Sequence, residues 1–215
     1  MTVPASALTE LPPQPYDAIR ALVRTGDLAL CSGTAMFSRA IRWATASPWS
    51  HVAMIVRLEE VGRVVVFEAV EKIGVRMVPL SRFLSEDATH HKPFPGIAII
   101  ARHSEFAEHP SPDQLEHLTA AATDRLGAGF EPGEILKIAL RIAAGRVGMK
   151  LPRVLRTDDE YICSEYVARC YEAVGIRIPW DGRGFIAPDD FAKDPKIDAV
   201  ARVAKNPFNG KPTPD

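Results

Sequence analysis

The sequence predicts an α+β fold, in which an antiparallel sheet packs against helices. Short runs rich in β-branched residues fill the first half of the chain, where Gly62 and Gly74 punctuate them. From Ser111 onward the apolar residues follow the period of a helix. Strands first and helices afterwards are typical of a sheet covered by a helical layer. The chain has 215 residues, of which 47% are hydrophobic, and this is enough to bury one core without disulfides.

The pattern predicts five strands and four helices in chain order. The first helix interrupts the strands, the second opens with Ser-Pro-Asp, and the last ends before a glycine, as helices commonly do. The predicted strands are 28–31, 51–58, 64–70, 75–80 and 96–101, and the predicted helices are 35–46, 114–126, 133–144 and 163–174.

Proline-rich segments mark both ends of the chain. Four prolines fall within residues 4–15 and three more lie between 207 and 214, a pattern typical of extended tails or of segments that wrap a surface. We therefore expect an N-terminal tail over 1–15, a single domain over 16–200 and a C-terminal tail over 201–215.

The charges and the hydropathy pattern exclude several classes of protein. Lys and Arg number 26 against 27 Asp and Glu, and this balance gives no overall attraction for nucleic acid. No run approaches the roughly 20 apolar residues of a transmembrane helix, and the first residues lack a secretory signal pattern. These features predict a cytoplasmic protein without a metal or cofactor motif, and they leave the oligomeric state open.

Three cysteines are too few and too scattered for a disulfide framework, so any cysteine chemistry depends on a single thiol. Cys163 follows the polar run 157–160 and begins a predicted helix. The unpaired N–H groups and positive dipole end of a helix N-terminus stabilise a thiolate, so Cys163 is the candidate nucleophile. The alternative is a small buried hydrophobe. Cys31 and Cys170 lie on apolar faces and are predicted to pack.

His51 and Glu68 are the candidates for the base and for its orienting partner. His51 opens one predicted strand, and Glu68 is the lone charge within the next. A tight turn at Glu59-Glu60 would place them directly opposite, whereas a later turn drawn by Gly62 would make them diagonal neighbours. Either register leaves their Cβ atoms roughly 4.5 to 8 Å apart. The alternative for Glu68 is an exposed sheet face. The other histidines occupy polar stretches and are predicted to be solvated: His90, His91, His103, His109 and His117.

Six short segments carry a resemblance to a known family. They are 26–30 (GDLAL), 49–55 (WSHVAMI), 67–69 (FEA), 74–80 (GVRMVPL), 161–167 (YICSEYV) and 186–191 (IAPDDF). In content and order the sequence resembles the permuted, YiiX-like branch of the NlpC-type papain-like cysteine peptidases and amidases. The resemblance implies a papain-like core with the His strand ahead of the Cys helix.

The same resemblance implies roles for particular residues. Cys163, His51 and Glu68 would form a catalytic triad, and Tyr161 would line the site or polarise the substrate carbonyl. The residues that flank the triad in these segments are expected to contact substrate: Trp49, Ser50 and Ser164.

These features together predict a cysteine hydrolase that cleaves an amide in a small molecule, a peptide or a lipid amide. One alternative is a lipid acyltransferase, or a phospholipid or thioester hydrolase, of the lecithin–retinol acyltransferase type. The Asn-Cys-Glu-His-like motif of those proteins is absent, because this chain reads Ile-Cys-Ser-Glu at Cys163. A non-catalytic binding module is the other alternative. The basic segment 134–156 is either a solvated helix face or a cover over the cleft that contacts anionic groups or a membrane surface.

Overall fold

A computed structural model of the chain describes residues 2–34, 36–70, 73–86, 96–106, 110–129, 163–180 and 186–208. The helices are α1 (Ala7–Glu10), α2 (Tyr16–Leu22), α3 (Met36–Thr45), α4 (Leu80–Ser85), α5 (Pro112–Thr123), α6 (Cys163–Glu172) and α7 (Pro188–Lys193), with a 3₁₀ turn at Glu59–Val61. The strands are β1 (Pro13–Gln14), β2 (Leu28–Gly33), β3 (His51–Leu58), β4 (Arg63–Val70), β5 (Gly74–Pro79), β6 (Gly96–His103) and β7 (Ile197–Val203).

The seven strands form one sheet in the order β1-β7-β6-β2-β3-β4-β5. Every neighbouring pair is antiparallel except β1 and β7, which are parallel. The five predicted strands are all present, and β3, β4 and β5 pair consecutively as an antiparallel meander. The prediction of an antiparallel sheet packed against helices is therefore confirmed. The helix predicted at 133–144 lies outside the described residues.

Both faces of the central strands are buried, which explains why the strand sequences are almost continuously apolar. Val52, Met54 and Val56 point into one hydrophobic cluster, whereas Ala53 and Ile55 point into a second cluster on the opposite face. Side chains alternate between the two faces of a strand, so odd- and even-numbered residues must both be apolar when both faces are covered. β3 therefore runs through the middle of the protein, and it places its first residue at the edge of the core.

Helix α6 covers one face of the sheet and packs on β3 and β4. Val167 and Tyr171 of this helix are fully buried in the cluster that also contains Met54. The hydroxyl of Tyr171 donates a hydrogen bond of 2.7 Å to the carbonyl of Gly26, which satisfies the phenol in the interior. The hydroxyl of Tyr166 bonds in the same way to a carbonyl of α5. These contacts hold α6 on this face of the sheet.

The hairpin between β3 and β4 has the later of the two predicted turns. Leu58 pairs with Arg63, the 3₁₀ turn spans the residues between them, and Gly62 has a φ of 60°, which favours glycine. Met54 lies opposite Phe67. Continuing this register places His51 and Glu68 two residues out of direct opposition, on the same face. Of the two arrangements that the sequence allows, the structure has the diagonal one.

The N-terminal residues, predicted to be a tail, pack against the domain. Val3 is buried and its N–H donates a hydrogen bond of 2.9 Å to the carbonyl of Ala192. Pro13 and Gln14 add a short edge strand beside Arg202 and Val203. Proline has no N–H to give to a sheet, so its presence in an edge strand is expected. This segment extends the sheet at the end remote from His51.

Candidate active site

His51 and Glu68 make a direct hydrogen bond inside the sheet. Nε2 of His51 donates to Oε2 of Glu68 over 2.7 Å. The Glu68 side chain is only 3% exposed, whereas that of His51 is 22% exposed. The ring of His51 therefore reaches the surface while its partner stays in the interior. A buried carboxylate in this position fixes the ring orientation and stabilises the charged imidazolium.

Arg76 on β5 holds the second oxygen of Glu68. Its Nε and one terminal nitrogen donate to Oε1 over 2.9 and 2.6 Å. Arg76 and Glu68 lie directly opposite each other on neighbouring strands. Both carboxylate oxygens are thus bonded, and a buried charge is tolerated only when it is paired in this way. His51 and Arg76 together hold the pKa of Glu68 below its ordinary value, against the opposing effect of burial.

Cys163 is the first residue of α6 and is partly exposed. Burial alone would raise the pKa of its thiol, but the positive charge and hydrogen bond of His51 outweigh that effect and lower the pKa. The backbone N–H groups of Val52 and Ser164 also bond to the sulfur and lower its pKa. Three donors therefore converge on one sulfur, as expected for a thiolate at a helix N-terminus.

The imidazole of His51 has the complementary behaviour. Burial opposes the charged ring, but the Cys163 sulfur and the Glu68 carboxylate reverse this and raise the pKa to about 10. Because Nε2 is bonded to Glu68, Nδ1 is the ring nitrogen that remains for the sulfur. The pair therefore favours a thiolate beside an imidazolium. That is the reactive form of a cysteine nucleophile, since the thiolate rather than the thiol attacks carbonyl carbon.

The other predicted site residues occupy supporting positions. Trp49 is 1% exposed and belongs to the core. The Oγ of Ser50 accepts from the N–H of Gly33 over 2.9 Å and so ties the residue before His51 to β2. The Oγ of Ser164 donates to the carbonyl of Ile186 over 2.6 Å and anchors the first turn of α6. Tyr161 lies outside the described residues.

The remaining two cysteines are buried and unreactive by environment. Burial raises the pKa of Cys170 to about 12, and it raises the pKa of Cys31 further. Cys31 lies directly opposite His51 in the β2–β3 register. Both residues pack in the core, and Cys163 alone has an environment that favours ionisation.

The structure places Arg76 beside Glu68 and corrects the prediction for His103. Arg76 is visible in the sequence as the single charge within β5, and only the β4–β5 register shows that it meets Glu68. His103 was predicted to be solvated, and this is wrong, because it is fully buried. β6 extends to His103, so the strand alternation that buries Ile99 and Ala101 buries His103 as well. Burial lowers its pKa, and its Nε2 lies 3.7 Å from a carboxylate oxygen of Asp194.

Comparisons with known proteins identify the fold. No family model matches the sequence, and no curated protein matches it. Five chains of solved structures match. One is the crystal structure of metalloprotein yiiX from Escherichia coli O157:H7, with a TM-score of 0.58 and 20% identity over 83% of this chain and 97% of that chain. The chain has a YiiX-like fold. At this identity the similarity shows the fold alone. The YiiX-like fold that the six short segments predict is confirmed.

The yiiX protein of that structure is described as a metalloprotein. Across the described ranges of the present chain, no group of three or more His, Cys, Asp or Glu side chains could hold a metal ion. Around Glu68 the surroundings oppose a cation, since the Arg76 guanidinium occupies one carboxylate oxygen and His51 occupies the other. The described residues of this YiiX-like fold do not fit a metal site.

In the part of the chain that the structure describes, no helix is both long and apolar enough to cross a bilayer.

Proposed function

We propose that this protein is a cysteine hydrolase that cleaves an amide bond through a Cys163–His51–Glu68 triad and an acyl-enzyme. The single observation that carries the proposal is that one imidazole bonds to both a buried carboxylate and the thiol. A structural histidine needs only one such partner. A histidine that joins a partly exposed thiol at a helix N-terminus to a carboxylate has the arrangement of a nucleophile, a base and an orienting group.

In the first step the Cys163 thiolate attacks the substrate carbonyl carbon and forms the C–S bond. The carbonyl oxygen becomes an oxyanion, which N–H groups at the start of α6 stabilise electrostatically. The His51 imidazolium then gives its proton to the leaving nitrogen, and the C–N bond breaks to release an amine. The products of this half-reaction are a thioester on Cys163 and a neutral imidazole.

In the second step a water molecule attacks the thioester. His51 takes a proton from the water as the oxygen bonds to the acyl carbon, and the C–S bond then breaks to release a carboxylic acid. The sulfur leaves as a thiolate and His51 is again the imidazolium, so the pair returns to its starting charge. Glu68 stays ionised throughout and holds the ring, and Arg76 holds Glu68.

Intact-protein mass spectrometry tests this proposal. Wild type is incubated with a panel of activated acyl amides and thioesters, and the adduct mass identifies the acyl group that is accepted. We expect an adduct on Cys163 that forms and decays, and no adduct or turnover in Cys163→Ala. Cys170→Ala is the matched control, because it removes a buried thiol from the same helix and should keep turnover.

Circular dichroism of both variants establishes that each is folded. A folded Cys163→Ala protein that still hydrolyses a substrate would end the proposal. An adduct that decays only when an alcohol or amine is added would replace hydrolysis with acyl transfer.

A further inference from the structure

Helix α3 presents a charged and aromatic face beside the proposed active site. Arg39, Arg42 and Trp43 are spaced by three and four residues and so share one side of the helix, and Ala46 follows just after its end. Together with Ser47 and Pro48 they line an open depression of about 400 Å³. The volume is in the range of ligand pockets. This depression is called the α3 groove below.

The lining of the α3 groove is suited to a negatively charged group. Arg39 and Arg42 form no ion pair with a carboxylate in the described part of the chain. Residues 34–50 contain no Asp or Glu at all. Trp43 is 66% exposed, although a large aromatic ring usually loses most of its surface in a folded protein. Two guanidinium groups and an indole on one concave surface can bind an anion and the less polar atoms next to it.

Two connections tie the α3 groove to the catalytic residues. Pro48 lines the groove and lies three residues before His51, so their Cα atoms are at most about 11 Å apart. A terminal nitrogen of Arg42 donates a hydrogen bond of 3.2 Å to the carbonyl of Gly33 at the end of β2. Cys31, two residues earlier in β2, pairs directly with His51. The α3 groove therefore lies next to the end of β3 that carries His51.

We propose that the α3 groove binds an anionic group of the substrate, a carboxylate or a phosphate, while the scissile carbonyl lies at Cys163. This inference rests on the proposed hydrolase function and adds a substrate class to it: an amide that carries an acidic group at some distance from the bond that is cleaved. Arginine side chains recognise such groups through paired N–H donors.

Matched substrates test the inference. Three chromogenic peptide anilides of one length are compared, ending in a carboxylate, a phosphate or a neutral methyl ester two to three residues from the scissile bond. For wild type we expect KM to be about 10 to 100 times lower for an anionic substrate than for the ester. Arg39→Gln/Arg42→Gln should remove this difference by raising KM for the anionic substrates to the value for the ester. Arg63→Gln, which removes an exposed arginine at the start of β4, should retain the difference.

Equal KM values for the anionic and neutral substrates in wild type would overturn the inference, as would a difference that survives in the double variant. Whether carboxylate or phosphate gives the lower KM identifies the source of the charge.

Binding is also measured by calorimetry with Cys163→Ala, so that turnover is not needed. If binding requires Arg39 and Arg42 but the wild type is never acylated, the hydrolase proposal fails and the anion site stands. If the double variant loses binding to phosphatidylglycerol vesicles and no other binding, the substrate site is overturned. The groove is then a membrane contact.

Discussion

Replacing Glu68 with Gln tests the coupling between the buried carboxylate and the imidazole of His51. Gln has nearly the same shape as Glu but carries no charge, so the packing of β4 is kept. The Nε2 of His51 loses an ionised partner at 2.7 Å, and Arg76 loses its counter-charge. Cys163 still faces the ring. The variant therefore isolates what the carboxylate contributes to the charge of His51.

The expected effect follows from the size of a close charge interaction. An opposite charge within hydrogen-bond distance shifts a pKa by about 1 to 3, which corresponds to about 1.4 to 4 kcal/mol. The pKa of His51, about 10 in the wild type, should fall by that amount in Glu68→Gln. It should stay above the ordinary value of 6.5, since the Cys163 sulfur continues to favour the imidazolium.

The stability of the variant should depend on pH in a defined direction. The raised pKa of His51 means that the imidazolium stabilises the fold fully below about pH 6.5, and that this contribution is lost as the pH rises through about 10. The lowered pKa of Glu68 means that its contribution is present above about pH 4.5 and is lost in acid. The loss of unfolding free energy in Glu68→Gln should therefore be largest between about pH 5 and 6.5.

Two measurements check these expectations. NMR titration of the His51 ring signal gives its pKa in wild type and variant, and urea unfolding at several pH values gives the free energy difference. Glu60→Gln, an exposed change in the same hairpin, is the matched control and should alter neither quantity. A wild-type His51 that titrates near 6.5, or a pKa unchanged in Glu68→Gln, would refute the reasoning.

Three further variants test the strands around the site. Arg76→Met removes the second partner of Glu68, so we expect a higher pKa for Glu68. We expect kcat to be about 10 to 100 times lower, with the largest fall below about pH 6. A pH–rate profile with the wild-type shape would show that Arg76 does not position Glu68. Gly74→Ala should destabilise the protein by more than about 2 kcal/mol, because φ is 86° and a Cβ would lie 2.1 Å from the carbonyl oxygen of Ala128. Gly62→Ala, at a φ of 60° in open space, should cost only about 1 kcal/mol, and equal urea midpoints for the two variants would contradict this account.

Much of the sheet could be predicted from the sequence because strands leave a local signal. The apolar runs that became β2 to β6 are each bounded by polar residues, glycine or proline, and the antiparallel meander follows from short connections. The hairpin also limited how far apart His51 and Glu68 could be, since only two registers were compatible with its turn. The structure selects the later turn, at Gly62, because the 3₁₀ turn takes up the two glutamates before it.

Other features depended on contacts that the local sequence does not carry. In the sequence Arg76 is one charged residue of a strand, and only the pairing of β5 with β4 shows that it meets Glu68. His103 lies beyond the predicted end of β6, and the observed strand is two residues longer. The N-terminal segment resembles a tail because proline disfavours regular structure, yet it pairs with β7, which is almost 190 residues away in the chain. The basic segment 134–156 and Tyr161 lie outside the described residues, so their predicted roles stay predictions.

The reactivity of Cys163 at low pH tests the central claim most directly. Iodoacetamide alkylates the thiolate alone, and an ordinary thiol is less than about 1% ionised at pH 6. If His51 and Cys163 form an imidazolium–thiolate pair, peptide mapping at pH 6 should find Cys163 alkylated while Cys31 and Cys170 are untouched. The rate should fall at least about tenfold in His51→Ala. A rate that is negligible at pH 6, rises only toward pH 9 and is the same in His51→Ala would contradict the account.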